Sequence, residues 1–206
     1  MNIESLEIPD VKLISPSVFS DDRGYFMETF NQRLFNEKIK VTNFLQDNES
    51  ISSFGVLRGL HFQEPPYAQA KLMRVITGEV FDVAVDLRSD SVTFGKHVTV
   101  LLNGENKEML YIPRGFAHGF VVMSEKAVFS YKVDSYYYPQ SENSLIWDDR
   151  NLNINWPLDK TEIQLSKKDI DGKSWKQISF FEKKVWENKK FWSRVKMVNL
   201  VTHYRS

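Results

Sequence analysis

Two histidines stand out among the residues that could do chemistry, because each lies beside arginine and glycine. His61 closes the segment 58–61, which begins with an arginine and a glycine, and His118 lies in the segment 114–119, which has the same residue types. A histidine near apolar residues often has only a structural role, but a neutral imidazole can also accept a proton near pH 7. Two such histidines beside arginines, at strand ends of a small barrel, indicate a pocket for an anionic ligand.

Several other chemistries lack their residues in this chain. There is no cysteine, which removes disulfides, thiolate nucleophiles and cysteine-bound zinc. No Gly-x-Ser-x-Gly elbow and no phosphate-binding glycine loop occurs. No two histidines lie close enough in sequence for the His-x-His pair of many metal barrels, and His97 and His203 carry no further signal. We therefore predict no metal site and no cofactor, which leaves proton transfer by histidine, carboxylate and tyrosine, with lysine or arginine holding phosphates.

Length, composition and charge describe an ordinary globular protein with an unusual end. The 206 residues favour one domain with a small appendage, and neither a signal peptide nor a stretch long enough to span a membrane is present. We therefore predict a soluble, cytoplasmic protein. Net charge is zero, but residues 173–206 carry nine Lys or Arg against two Glu, so residues 1–172 are acidic. An acidic body argues against a nucleic-acid partner.

The middle of the chain reads as many short strands separated by turns. Apolar residues alternate in residues 81–87, and similar strands are predicted at 98–102, 109–112, 119–123 and 127–133. One short helix is predicted at 31–38. In the tail, Trp175, Ile178, Phe181, Val185 and Trp192 recur at helical spacing. The pattern predicts a mostly β, antiparallel jelly-roll barrel over residues 1–172 and a short helical extension over 173–206.

A series of motifs in residues 5–170 resembles the dTDP-4-dehydrorhamnose 3,5-epimerase family of nucleotide-sugar epimerases. The motifs, in family order and at family spacing, occupy residues 22–28, 46–50, 55–63, 71–75, 78–88, 93–96, 112–120, 131–132, 136–142, 146–149 and 165–169. The resemblance implies a cupin-like jelly roll that inverts carbons 3 and 5 of a 4-keto hexose or heptose linked to dTDP or GDP. It also implies a homodimer in which N-terminal strands contribute to the partner's site, and a product used for a deoxysugar or heptose of a surface polysaccharide.

The same resemblance implies roles for individual residues. His61 would be the base, Asp169 the carboxylate that orients it, Tyr131 the acid on the opposite face of the sugar, and Lys71 the cation that stabilises the enolate. The remaining residues that the resemblance assigns to substrate binding are Arg23, Phe26, Glu28, Gln46, Asn48, Arg58, His118, Tyr137, Glu142 and Lys168. Among them, Arg58, His118 and Lys168 would hold the diphosphate, and Tyr137 could stack on the base.

Alternatives remain open at this point. Taken singly, Tyr131 reads as a core tyrosine, Lys71 as a solvated strand-end lysine and Asp169 as a helix cap. A mono-epimerase, a 3,4-ketoisomerase of the same fold and a non-catalytic sugar-nucleotide-binding barrel compete with the double epimerase. The residues that transfer protons separate neither dTDP from GDP nor one sugar from another. The basic tail is predicted to pack on the barrel or dimer rather than on a membrane.

Overall fold

The computed structural model describes residues 1–187, whose strands form two mainly antiparallel sheets, and the predicted mostly β barrel is confirmed. In chain order the strands are β1 (Asn2–Ser5), β2 (Lys12–Ser15), β3 (Val18–Asp21), β4 (Gly24–Met27), β5 (Gln46–Ser53), β6 (Val56–Gln63), β7 (Lys71–Thr77), β8 (Glu79–Asp86), β9 (His97–Asn103), β10 (Met109–Ile112), β11 (Phe116–Val122), β12 (Lys126–Val133), β13 (Glu142–Ser144) and β14 (Gln164–Leu165). The α-helices are α1 (Gln32–Lys38), α2 (Lys167–Ile170) and α3 (Lys183–Glu187). No helix within residues 1–187 has the length and apolar character needed to cross a bilayer.

Two sheets form the body of the barrel, which we call the first and the second sheet. The first has the strand order β1-β2-β10-β7-β12-β5. The second has the order β13-β6-β11-β8-β9, and β14 adds to β6 in parallel. Strands that are distant in sequence thus become neighbours, and the side chains of the inner faces meet between the two sheets.

The second sheet is buried on both of its faces, so successive residues of its strands belong to two different cores. In β8, Val80 and Ala84 join the core between the sheets, whereas Val83 and Val85 join a second core on the outside. That outer core is covered by residues from the C-terminal part of the described chain, including Leu145, Leu152, Ile178 and Trp186. Both sets of alternate residues are therefore shielded from water, and alternation alone does not reveal which face lines the cavity.

The predicted helix at 31–38 is confirmed as α1, with Asn31 as its N-cap. The Asn31 side chain accepts a hydrogen bond from the backbone N–H of Leu34, which satisfies a donor that the first turn leaves free. The helix buries Phe35 against Tyr111 of β10, with ring centroids 5.1 Å apart. This packing covers the outside of the first sheet.

The described part of the tail, residues 173–187, does not form the continuous helix that its aromatic spacing predicts. Residues 175–177 form only a short 3-10 turn, and Phe181 instead makes a parallel bridge with Arg88 at the end of β8. The carbonyl of Phe181 accepts a hydrogen bond from the N–H of Ser89, so pairing with the barrel edge replaces a helical turn there. Only α3 continues as helix, and Trp192 lies outside the described residues. The division of the chain at residue 172 stays a prediction.

The hairpin β3–β4 forms a separate two-stranded sheet. Three aromatic side chains on it are largely exposed: Phe19 at 66%, Tyr25 at 56% and Phe26 at 70%. A two-stranded ribbon with an exposed aromatic surface is not a self-sufficient unit in water.

Candidate active site

The cleft between the sheets contains a histidine–aspartate pair. Nε2 of His61, on β6, lies 2.6 Å from Oδ1 of Asp169, on α2. Burial would raise the pKa of Asp169, but hydrogen bonds from His61 and Ser166 outweigh burial and lower this pKa below its usual value. The carboxylate is therefore ionised and can only accept hydrogen bonds, so Nε2–H of His61 donates to it. The Nδ1 lone pair is then left to accept a proton.

Local backbone structure brings these two distant residues together. β14 pairs with β6 in parallel, and Ser166 directly after it caps α2, so that Asp169 lies beside His61. The Ser166 hydroxyl donates to Oδ2 of Asp169 at 2.6 Å, and the N–H of Gly59 donates to Oδ1 at 3.2 Å. Gly59 has φ +142°, and a Cβ there would lie 2.4 Å from the Cα of Gly119. Only glycine therefore fits this close approach of β6 and β11.

A second imidazole–carboxylate pair lies beside the first. His118 faces His61 in the pairing of β11 with β6, and its Nε2 lies 2.9 Å from Oδ2 of Asp82 on β8. His118 is only 7% exposed and Asp82 is fully buried. Burial lowers the pKa of His118, and the neighbouring Lys71 acts in the same direction, although Asp82 opposes both. His118 is therefore neutral near pH 7, with one ring nitrogen already bound to protein.

Lys71, at the start of β7, supplies a cation next to this pair of histidines. Its Nζ donates to the backbone carbonyl of His61 at 3.4 Å. Burial lowers the pKa of Lys71 to about 8, while the charges of Asp82 and Glu142 act against burial. The side chain is thus an ammonium near pH 7, in a site largely removed from water, where a positive charge acts strongly on a ligand.

Tyr131 enters the cleft from the other sheet. It lies on β12, where it pairs with Asn48 of β5 and Met73 of β7, and its side chain packs against the core between the sheets. Burial raises the pKa of Tyr131, and so does the charge of Glu142, whereas Arg58 opposes them. The phenol therefore stays protonated near neutral pH and can donate. His61 and Tyr131 belong to facing sheets, whose packing distance is about 10 Å.

Polar side chains at the cleft are connected into two groups, one built around Tyr137 and one formed by Arg58 and Ser52. Glu142 is ion-paired with Lys168 and accepts a hydrogen bond from the hydroxyl of Tyr137 at 2.7 Å. Arg58 donates to the hydroxyl of Ser52 at 3.0 Å. The amide of Gln46 donates to Asn48 at 2.7 Å, and its oxygen accepts from the N–H of Tyr137 at 3.3 Å. The lysine and the arginine are suited to hold the phosphates of a ligand.

Three residues assigned to substrate binding lie outside the cleft. Arg23 and Phe26 belong to the hairpin β3–β4, where Arg23 pairs with Asp21 of the same hairpin and Phe26 is mostly exposed. Glu28 follows the hairpin and accepts a hydrogen bond from Asn31. The structure thus brings eleven of the predicted site residues to the cleft and holds these three elsewhere on the surface of the chain.

The sequence analysis did not identify the residues that form hydrogen bonds with the side chains of the site. Asp82, Ser166 and Ser52 bind His118, Asp169 and Arg58, respectively, and none was among the predicted site residues. The sequence does contain an indication for Asp82, because an acidic residue within an otherwise apolar strand is unusual and often functional. For Ser166 the signal is a Ser three residues before Asp169, the spacing of a helix cap.

The barrel and its cleft define a cupin-type enzyme equipped for proton transfer on an anionic ligand. The chain belongs to the dTDP-4-dehydrorhamnose 3,5-epimerase family, whose sequence model matches residues 5–177, and it is an isomerase. The resemblance predicted from the motifs is thereby confirmed, and the match ends ten residues before the end of the described chain.

Individual relatives are similar over most of their length. The dTDP-4-dehydrorhamnose 3,5-epimerase of Shigella flexneri is 51% identical over 182 residues, which is 88% of this chain and 99% of the relative. The crystal structure of dTDP-6-deoxy-D-glucose-3,5-epimerase from Legionella pneumophila, in complex with dTDP-4-keto-L-rhamnose, is 46% identical with a TM-score of 0.85. That similarity covers 88% of this chain and 97% of the other. A 3'-monoepimerase from Streptomyces bikiniensis, in complex with dTDP-quinovose, is 29% identical with a TM-score of 0.82, over 92% of this chain and 98% of the other.

Proposed function

We propose that this isomerase inverts carbons 3 and 5 of a dTDP-linked 4-keto-6-deoxy sugar, with His61 as base and Tyr131 as acid. The observation that carries the proposal is the placement of the His61–Asp169 pair and Tyr131 on facing sheets, with the Lys71 ammonium bound to the backbone carbonyl of His61. Epimerisation needs this arrangement, because the proton must leave one face of the carbon and return to the other.

The chemistry follows from the keto group at carbon 4. His61 Nδ1 takes the proton from the neighbouring carbon, and the electron pair of that C–H bond moves onto the carbonyl oxygen as an enolate. The imidazolium that forms is stabilised by the ionised Asp169. The Tyr131 hydroxyl then delivers a proton to the opposite face, and both side chains exchange their protons with solvent before the second carbon reacts.

Lys71 stabilises the charge that develops on the enolate oxygen. A preorganised cation in a site removed from water can lower the barrier by several kcal/mol, provided that it is aimed at the oxyanion. The low pKa of Lys71 also means that the ammonium is close to losing its proton, so its charge depends on pH. Lys71 therefore links the rate to pH on the alkaline side.

Substrate binding divides between the cleft and the hairpin. Arg58, His118 and Lys168 hold the diphosphate, and Gln46, Asn48 and Glu142 line the nucleotide-sugar pocket. Arg23, Phe26 and Glu28, which the fold keeps away from the cleft of their own protomer, serve the cleft of a second copy in a homodimer. The exposed aromatic side chains of the hairpin support this arrangement, since a partner would cover them.

Both carbons, rather than one, are inverted. The 51% identity with a 3,5-epimerase against 29% with a monoepimerase supports double inversion and a dTDP-linked substrate. The product serves deoxysugar biosynthesis, which we place in the cytoplasm, where sugar nucleotides are used.

Proton NMR in deuterated water tests the proposal directly. The protein is incubated with the 4-keto-6-deoxy sugar on dTDP and on GDP, beside the His61→Ala variant. Deuterium should enter at carbons 3 and 5 of the dTDP sugar and should be absent with the variant. Exchange at one carbon only would make the enzyme a mono-epimerase, and binding without exchange would contradict the catalytic assignment.

A further inference from the structure

Gln63 is a buried polar side chain to which the proposed mechanism gives no role. It is the last residue of β6, two positions after His61, and it is only 4% exposed. Its Nε2 donates to the backbone carbonyls of Tyr67 and Tyr136, at 2.7 and 3.3 Å. Its Oε1 accepts from the backbone N–H of Tyr138 at 2.6 Å. One side chain thus joins the end of β6 to the loop that follows it and to the loop that follows β12.

The loop that follows β12 depends on such side chains, because residues 136–138 lie in neither a strand nor a helix. Backbone groups that have no partner in a sheet need one elsewhere when water is excluded. Gln63 provides a partner for Tyr136 and for Tyr138. Between them, the N–H of Tyr137 donates to Oε1 of Gln46 at 3.3 Å. Two glutamines therefore hold the backbone of three successive tyrosines.

A stacked pair of tyrosine rings connects the same two loops. The ring centroids of Tyr67 and Tyr138 lie 3.7 Å apart, and the ring planes differ by only 10°. Gln63 binds the backbone of both residues, so its amide and the two rings act on the same pair of loops. The loop after β12 is consequently held by side-chain packing as well as by hydrogen bonds.

Tyr137, between the two residues that Gln63 binds, is the side chain of this loop that reaches the site. Its ring is 52% exposed, so packing alone restricts it little. Its hydroxyl donates to Glu142 at 2.7 Å, and Glu142 faces Gln63 in the pairing of β13 with β6. The backbone on both sides of Tyr137 and the carboxylate that accepts from its hydroxyl are thus all held at the end of β6.

We propose that Gln63 is a positioning residue for nucleotide binding, which fixes the backbone on both sides of Tyr137 and thereby places its ring for the base. This inference rests on the proposed function, in which the cleft binds a dTDP-linked sugar. Gln63 itself does not touch the substrate. It acts by ordering, before the ligand arrives, a loop that would otherwise become ordered only on binding.

The expected consequence is weaker binding with little change in the chemical step. Ordering side chains and loops on binding costs affinity, and a loop that is already ordered avoids this cost. Gln63→Met keeps the approximate size of the side chain and removes all three hydrogen bonds. The KM for the dTDP-linked 4-keto sugar and the Kd for dTDP should rise about tenfold, and kcat should fall less than about twofold. Loss of a residue that acts on the base His61 would lower kcat instead.

The experiment combines initial rates of deuterium exchange with calorimetric titration of dTDP. It compares the unmodified enzyme with Gln63→Met and with Gln164→Met, the matched control. The Gln164 side chain also donates to a loop carbonyl, that of Phe54, at 2.9 Å, but in a different loop. Gln164→Met should leave KM and Kd within about twofold of the unmodified values. An unchanged Kd for dTDP in Gln63→Met, or a loss that lies mainly in kcat, would overturn the inference.

A double-mutant comparison tests whether Gln63 acts through Tyr137. Tyr137→Ala removes the ring, so adding Gln63→Met should raise the Kd for dTDP by less than about a further twofold. A large additional rise in the double variant would show that Gln63 acts by another route, and the inference would be wrong.

A second variant keeps the test decisive if thermal denaturation shows that Gln63→Met folds poorly. Gln63→Glu retains the size of the side chain and the oxygen that accepts from Tyr138, and when ionised it loses the donors to the two carbonyls. It should raise the Kd for dTDP about threefold, and an unchanged Kd would contradict the inference. Binding of dTDP does not require epimerisation. Absence of exchange by the unmodified enzyme would therefore overturn the proposed function, while the Kd values still decide the role of Gln63.

Discussion

At the scale of single residues, the cleft combines two imidazole–carboxylate pairs that perform different tasks. Asp169 stabilises an imidazole that must gain a proton, and hydrogen bonds from Ser166 and Gly59 keep this carboxylate ionised. His118, by contrast, is held neutral by burial. Identical residue types thus have different roles, because one pair faces the cleft and the other is enclosed by the core.

Lys71 should limit stability as well as support activity. Its pKa is lowered to about 8 by burial, so above this value the native state has lost a proton that the unfolded chain still binds. Stability should consequently rise between about pH 8 and 10, and the full cost of burying the ammonium is present below pH 8. Lys71→Met should abolish exchange and raise the free energy of unfolding at pH 7 by about 1–2 kcal/mol.

Urea denaturation of both proteins at pH 7 and pH 9.5 measures this effect. The difference in unfolding free energy between Lys71→Met and the unmodified protein should be smaller at pH 9.5, because the native lysine is then neutral. A variant that is less stable at both pH values would contradict this account of Lys71.

At the scale of elements, a helix of only four residues connects folding with catalysis. α2 is capped by Ser166, whose hydroxyl accepts from the backbone N–H of Asp169 and donates to the carboxylate of the same residue. Lys168, next to Asp169 on α2, is ion-paired with Glu142 at the cleft. The orientation of α2 therefore sets two parts of the site at once.

Ser166→Ala should weaken both functions of this cap. Loss of the cap should cost about 1 kcal/mol of stability. Loss of a hydrogen bond to the charged Asp169 should lower kcat about tenfold. Ser166→Thr retains a hydroxyl and should recover most of the activity. Steady-state kinetics and thermal denaturation measure the two effects, and an alanine variant with unchanged kcat would show that Asp169 needs no such support.

The C-terminal segment 178–187 lies beyond the region matched by the family model and still contributes to the barrel. Trp186 is 1% exposed, and its indole N–H donates to the carbonyl of Phe181 at 2.8 Å. It packs against Gly115, where a Cβ would lie 3.0 Å from the indole ring and 2.6 Å from the side chain of Arg88. The turn that leads into β11 is therefore covered by this segment.

Trp186→Ala should destabilise the protein by about 3 kcal/mol, the usual cost of removing a buried tryptophan. Val185→Ala is the matched control, because Val185 lies on the same helix and is 39% exposed, so its loss should cost less than about 1 kcal/mol. Chemical denaturation of both variants measures these costs. Equal stability of the two variants would show that α3 is not part of the folded barrel.

At the scale of the whole molecule, two copies should be needed for one complete site. A variant with Arg23→Ala and Phe26→Ala lacks the hairpin contacts, and a His61→Ala variant lacks the base. In a mixed dimer, one cleft then carries both defects and the other carries none. Unfolding and refolding equal amounts of the two inactive proteins together should restore about a quarter of the normal activity. No recovery would show that each hairpin serves its own protomer.

Several features of the molecule could be predicted from sequence, for reasons that differ between elements. Strand β10 and helix α1 lie at the positions that the local sequence predicts, 109–112 and 31–38, and the family motifs led to His61 and Asp169. Asp82 escaped prediction because β8 is buried on both faces, so its pattern does not distinguish cavity from outer core. The aromatic spacing within 173–206 predicts a helix, but at Phe181 pairing with the barrel edge decides the conformation.

The pairing of His61 with Asp169 spans 108 residues, and this distance affects how the enzyme is made. A chain emerging from the ribosome, at about 5–20 residues per second, exposes the base several seconds before its carboxylate partner. β6 can pair with β11, and β11 with β8, in that interval, but β6 receives β14 and α2 only after residues 164–170 have been synthesised. Contacts of such high sequence separation form late and slow the folding of β-rich proteins. Proton transfer can therefore begin only after nearly the whole barrel has been synthesised, so that nascent fragments are inactive.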